Sequence, residues 1–199
     1  MDWVRALIVD QLGFYWDNHL WPRLQGLTDE EYYWEPVDGC WSVRPDDQGV
    51  LRIDETDLAG GPPPVTTLAW RIMHIAVGVF HTRASTFFGD GSVPADADMA
   101  DPRHGPATLP ATAAEGLALL EFAYRWWTDG VLTLSEEQLL TPLGPRGHYF
   151  GHLPMAQLVL HLNREAMHHG GEIGVLRDLY RASGAGSRDD RLLLRPAAQ

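Results

Sequence analysis

Residues 153–183 constrain the fold more than any other stretch, and above all His161-Leu-Asn-Arg-Glu165-Ala-Met-His168-His169-Gly-Gly-Glu172. Leu158, Leu162, Glu165, His169, Glu172, Leu176 and Leu179 succeed one another at steps of four, three, four, three, four and three. That rhythm keeps them on one face of a helix. Such a face is expected to be the buried seam of a helical bundle, apolar at both ends with two carboxylates and an imidazole between. Burying unpaired ionisable groups costs on the order of several kcal/mol, so each other, a proton or a metal ion must satisfy them. The chemistry of the chain is expected here.

Three further segments have helical periodicity. Residues 2–26 carry Val4, Ile8, Leu12 and Tyr15 as a stripe that His19 continues, although His19 itself reads as a partly exposed helix-end imidazole. Thr28-Asp-Glu-Glu31 fits a capping box. Trp41-Ser-Val43 and Val50-Leu-Arg-Ile53 flank a polar turn and predict a small hairpin or irregular flap. Thr66 or Thr67 caps a helix to about Phe88, with Leu68, Ile72, Ile75 and Val79 as its stripe. Residues 90–107 read as a surface loop in which His104 is solvated. Leu109, Ala113, Gly116, Leu120, Ala123 and Trp127 repeat the seam spacing over 110–130, small residues at several positions allowing close helix approach. Ser135-Glu-Glu-Gln138 is another capped turn. The expected fold is all-α: one domain, 1–183, forming an antiparallel four-helix bundle with a long irregular loop between its first two helices. Residues 184–199 are a tail, whose Leu192-Leu-Leu194 is either frayed or packed on a second subunit.

Composition excludes several function classes. A net charge of −12, with every one of the 15 basic residues an arginine, argues against a phosphate-binding surface and hence against nucleic acid. No run of about 18 uncharged apolar residues predicts a membrane span. The start of the chain lacks the pattern of a signal peptide, and Cys40 is the sole cysteine, so the cytoplasm is expected. Nucleophile-elbow, CxxC, Walker and Rossmann patterns are all absent.

Glu165 and His169 lie four apart, so on a helix they can share one ion. A third ligand from another helix would complete the set; His74 is the best placed, with His81 as its rival. On spacing alone, a metal site and a satisfied salt-bridge pair remain equal alternatives. His161 and His168 flank the seam and read as half-buried polar residues rather than ligands. Glu172 has three candidate roles: general base, acceptor for a ligand histidine, or ion-pair partner of an arginine. Gly170 and Gly171 inside so strong a helix imply close approach by another helix or a ligand.

Thr67-Leu-Ala-Trp-Arg-Ile-Met-His74-Ile, the helix-four motif His161 to Ile173 and the Gly39-Cys-Trp-Ser-Val-Arg44 segment together resemble the DinB-like superfamily. The resemblance implies a four-helix bundle of unusual helix order with a divalent metal between helices. The superfamily's usual triad is one histidine on helix two and a His-x-x-x-His pair on helix four. Here those positions are His74, Glu165 and His169, and the Glu departs from the usual pair. A His, Glu, His set resembles the zinc ligands of the mycothiol-dependent maleylpyruvate isomerase branch. The resemblance further implies a cytoplasmic, often dimeric metalloprotein in a group that includes thiol-dependent transferases and isomerases. Zinc is the expected metal, with nickel suited to the same ligands. Low-molecular-weight thiols such as mycothiol are the expected cofactors, a small molecule the substrate, and Glu172 and His168 the candidates for proton transfer. The alternative is a non-catalytic bundle that binds a metal or a small molecule.

Overall fold

The computed structural model describes residues 3–55 and 62–187; the Leu192–Leu194 patch lies outside them. Four long helices make the body. Helix one runs through Trp3–Tyr15, a π-helical stretch Trp16–Leu20, and Trp21–Leu24. Helix two runs through Leu68–Met73, a π-helical stretch His74–His81, and Thr82–Phe88. Helix three is Ala113–Thr133 and helix four Met155–Ser183. Thr67 and Thr112 cap helices two and three through their side chains, and Gly184 ends helix four at φ 67°. Strands β1 (Val43–Pro45) and β2 (Leu51–Ile53) pair antiparallel, the expected small hairpin in the connection between helices one and two. No helix among the described residues is long and apolar enough to cross a membrane.

The π stretch in helix one explains a difference from the expected stripe. The buried row there is Leu12, Trp16, Leu20 and Leu24, a strict four-residue repeat; Val4 is exposed and Ile8 and Tyr15 only half-buried. Four residues of α-helix overshoot a full turn by about 40°, so such a row would leave the core after a few steps. A turn closed by i→i+5 bonds holds more residues and keeps the row facing inward. His19 is exposed, against the rings of Phe14 and Tyr15.

Helices one and two each pack against both three and four, so one and two stand on one diagonal and three and four on the other. Trp16 stacks on Tyr124 at 3.8 Å, and Asp29, just beyond helix one, accepts from the Ala113 amide at 2.7 Å, so helices one and three are antiparallel. Asn163 donates to Ile8 O at 2.9 Å and Arg23 to Gly174 O at 2.6 Å, so helices one and four are parallel. Helices two and four are antiparallel, with Arg71 beside Glu172 and His74 beside His169. The bundle is therefore antiparallel on two faces and parallel on the other two, which is why long crossing loops are needed.

Helix four departs from its expected seam at one end. A step averaging 3.5 residues drifts about 20° per heptad on a 3.6-residue helix. Over the three heptads from Leu158 the row therefore turns out of the core, leaving Leu179 48% exposed while Tyr180 is buried. In the middle, Ala166 and Ile173 lie fully inside, and Glu165 and Glu172 sit at the rim of the seam. Gly170 explains one close approach: a Cβ there would lie 2.4 Å from the Tyr15 hydroxyl. Gly171 faces open space.

Candidate metal centre

Helices two and four, antiparallel and adjacent, bring His74 against the Glu165 and His169 pair. One ligand atom from each of the three lies within 4.8 Å of the others. Glu165 Oε2 is 3.3 Å from His169 Nε2, and the imidazoles of His74 and His169 meet edge to face at 4.6 Å between centroids. The helix-four spacing places the first pair, and the π stretch that opens at His74 belongs to a class of helix defect that recurs at functional sites. His168, His169 and Glu172 form a second, overlapping group with ligand-type atoms equally close.

The shortest contact of His169 favours one tautomer. Its Nδ1 lies 2.6 Å from Glu172 Oε2, an acceptor, so Nδ1 carries the proton and donates. The Nε2 lone pair is then left facing His74 and Glu165. Arg71 Nη1, 3.1 Å from the same Nδ1, is also a donor and is in contact rather than bonded. Its Nε lies 3.0 Å from Glu172 Oε2, so the guanidinium holds the carboxylate that orients the imidazole. A carboxylate behind the far nitrogen of a histidine is the recurrent support of metal-ligating imidazoles.

The tryptophans complete the wall. Trp70 stacks on His74 at 4.9 Å and 7°, Trp41 stacks on Trp70 at 5.5 Å, and Arg71 lies over the Trp70 ring. Trp70 is fixed by donation from Nε1 to Asp54 O at 2.8 Å, which ties the hairpin connection to the centre. Burial first, then the neighbouring His169 and Arg71, push the His74 imidazole down to about 4 against the pull of Glu165 and Glu172. His74 is therefore a neutral donor at neutral pH. The Glu165 side chain is 35% exposed and that of His169 only 11%, so the group opens to solvent on its carboxylate side. Two imidazoles and one carboxylate with an open side are a donor set that suits a divalent ion.

The other sequence candidates lie apart from this cluster or at its edge. His81 does not share the centre: its Nδ1 is 3.0 Å from His104 O and its ring meets Trp126 edge-on, so it faces helix three. The π stretch between His74 and His81 widens the turn and separates two positions that an unbroken α-helix would hold on one face. His104, expected to be solvated, is 4% exposed, with Nδ1 2.9 Å from Ser85 Oγ. Its loop folds back on helix two. His161 is half-exposed, 3.8 Å from Glu165; His168 is 68% exposed, its Nε2 3.6 Å from Glu172 Oε1. Arg71 gave no signal in the sequence, although it stands three residues before His74, where an antiparallel helix would set it opposite Glu172.

No curated protein and no solved structure matches the chain. The family model of the DinB superfamily does match, over residues 16–173, a span from the π stretch of helix one past the last seam carboxylate. With the bundle, the crossing order of its helices and the His74, Glu165, His169 cluster already in place, that match shows that the chain belongs to the DinB superfamily.

Proposed function

We propose that the chain is a divalent-metal-dependent enzyme that uses a low-molecular-weight thiol, such as mycothiol, in a transfer, addition or isomerisation on a small molecule. One observation carries the reading: His74, Glu165 and His169 converge within 4.8 Å, with the Glu172 carboxylate 2.6 Å behind the far nitrogen of His169. His74, Glu165 and His169 would hold the ion, zinc before nickel. A bound divalent ion would lower the pKa of a thiol or water at the open side, supplying a nucleophile near neutral pH.

The chain's own residues do the rest. Trp70 and Trp41 screen His74 from water on one side. Arg71 fixes Glu172, and Glu172 fixes His169. His168 stands between Glu172 and solvent, 3.6 Å from the carboxylate, and this pair is the proposed route for a proton. The proposed setting is the cytoplasm, without nucleic acid or membrane, and the proposed assembly is a homodimer, for which Trp3, Leu7 and Phe14, all more than half exposed on helix one, offer apolar surface to cover.

The test is metal analysis of protein purified without a histidine tag, followed by a screen of thiol cofactors with electrophilic small molecules. Stoichiometric zinc and thiol-dependent turnover are expected. Failure to retain any divalent ion would sink the reading. Full metal without turnover under any thiol would favour the non-catalytic bundle.

A further inference from the structure

The groove between helices two and four does not end at the metal ligands. Because the two helices are antiparallel, residues later than His74 face residues earlier than Glu165. At that end lies a cavity of about 170 Å³ lined by Arg83, His161 and Arg164 among others. On helix four, Leu158, His161 and Glu165 succeed one another at steps of three and four, so the cavity and the metal ligands share one face. His161 Nδ1 stands 3.8 Å from Glu165 Oε1, linking cavity wall to metal ligand. On helix two, Gly78 lies between His74 and Arg83, and a Cβ there would meet only the His74 ring. The groove is thus unobstructed at that point.

The cavity's cations lack counter-ions. In a chain with 27 acidic residues against 15 basic ones, most arginines find a carboxylate. Arg23, Arg44, Arg52, Arg71, Arg103, Arg125, Arg177 and Arg181 each lie within ion-pair distance of an Asp or Glu. Among the described residues Arg83, Arg146 and Arg164 form no such pair, and two of these three, Arg83 and Arg164, line the same cavity. Arg83 donates to Thr82 Oγ1 at 2.8 Å and Met99 O at 3.0 Å, both neutral, and its buried Nε has no partner. Burial also lowers its guanidinium pKa. A half-buried charge left in this state is costly unless an anion completes it. Apart from Gln157 the remaining walls are apolar, among them Phe150, Leu153 and Leu158.

We propose that Arg83 and Arg164 form an anion subsite that holds the carboxylate of an amphipathic small-molecule acid, its apolar body lying along the groove toward His74, Glu165 and His169. The place of this subsite in a reaction rests on the metal-centre reading above; the subsite itself does not. His161 and Glu165 are one helical turn apart, about 6 Å along the axis, so the acid's reacting end lies a short alkyl chain from its carboxylate. An anionic head on an apolar body is the chemistry this groove recognises, and inorganic phosphate serves below as the competing anion.

Calorimetry on the full chain tests this with hexanoate, hexanol, inorganic phosphate and mercaptohexanoate, each with zinc added and after dialysis against chelator. Hexanoate should bind in both states and tighter than hexanol or phosphate. Arg164→Gln, at an exposed position that leaves the melting temperature unchanged, should weaken hexanoate about tenfold, as for loss of one charge-assisted contact. Arg83→Gln should do the same. Mercaptohexanoate, able to reach both ends, should gain about tenfold or more on zinc addition, and Arg164→Gln should weaken it too. Equal binding of hexanol, or an Arg164→Gln affinity equal to wild type, overturns the subsite. Zinc uptake without any gain for mercaptohexanoate overturns its connection to the centre. A chain that takes up no zinc yet binds hexanoate through Arg164 sinks the metal reading and leaves the subsite standing.

Discussion

Glu165 is the residue on which the metal reading turns, because the resemblance to the DinB-like superfamily implies a histidine at its position. Glu165→Gln keeps the shape and removes the anionic charge that offsets a cation. Divalent-ion affinity should fall by more than the roughly 10–100-fold that loss of a supporting partner costs. Glu165→His should retain the ion, since an imidazole four residues before His169 restores the commoner ligand pair. If the cluster were only a salt bridge, the ranking would reverse: the amide would be tolerated and the bulkier ring would strain the groove. Metal content and melting temperature of both variants, with and without chelator, separate the two. Glu172 permits a second measurement. Its 2.6 Å bond orients His169, so Glu172→Ala should weaken metal binding by roughly 10–100-fold, whereas His168→Ala, at an exposed ring, should leave it unchanged. Competition against a chromogenic chelator reads both; equal effects would remove Glu172 from its supporting role.

The helices show how much of the molecule could be read from its residues. Four segments, the Thr67 cap of helix two and the Glu165 and His169 pair obey local rules, since periodicity and capping depend on neighbours within a turn or two. Helix two's stripe and the small residues of helix three are legible for that reason. The π stretches are not, because a wider turn is selected by packing across the bundle and leaves only a faint trace, the strict four-residue row from Leu12 to Leu24. His104 and Arg71 are illegible for a related reason: each owes its place to a residue from another segment. Glycines separate the two kinds of information clearly. At Gly116 on helix three, a Cβ would sit 2.6 Å from the hydroxyl of Tyr32, a ring with no exposed surface. Gly116→Ala should destabilise by about 1–3 kcal/mol, outweighing the gain in helix propensity. At Gly171 a Cβ meets nothing, so Gly171→Ala should stabilise by up to about 1 kcal/mol. Urea unfolding of the two variants gives opposite shifts of midpoint if the contacts, and not the glycine count, set the outcome.

On the scale of the whole molecule, mixed helix directions pose a closure problem, which a buried ion pair answers at one end. Arg177, near the end of helix four, bonds Glu31 through two nitrogens at 2.8 and 2.7 Å, and also donates to Gln25 O at 2.9 Å and to Arg23 O. Both side chains are nearly inaccessible. Glu31 caps nothing with its carboxylate: the Thr28 turn accepts the Glu31 amide, while the side chain reaches across to helix four. The pair therefore fastens the start of the long first connection to the parallel helix beside it, and the segment of helix four that carries Glu165 and His169 is held from its far end. Removing one member leaves the other charged and buried, so Arg177→Ala should cost about 3–5 kcal/mol of unfolding free energy. Replacing both, as Glu31→Leu with Arg177→Met, should recover most of that loss, because two apolar groups need no partner. The carbonyls of Arg23 and Gln25 lose a donor in either case, so recovery should stop short of wild type. The informative comparison is denaturant stability of the two single variants and the double variant alongside their zinc content. If the single variant loses stability but retains zinc, the pair closes the bundle without shaping the centre. If zinc is lost in the single variant and returns in the double, closure of this end is what sets helix four in register with His74. The parallel packing of helices one and four favours the second result, since no tight turn joins them and only side chains can fix their relative height.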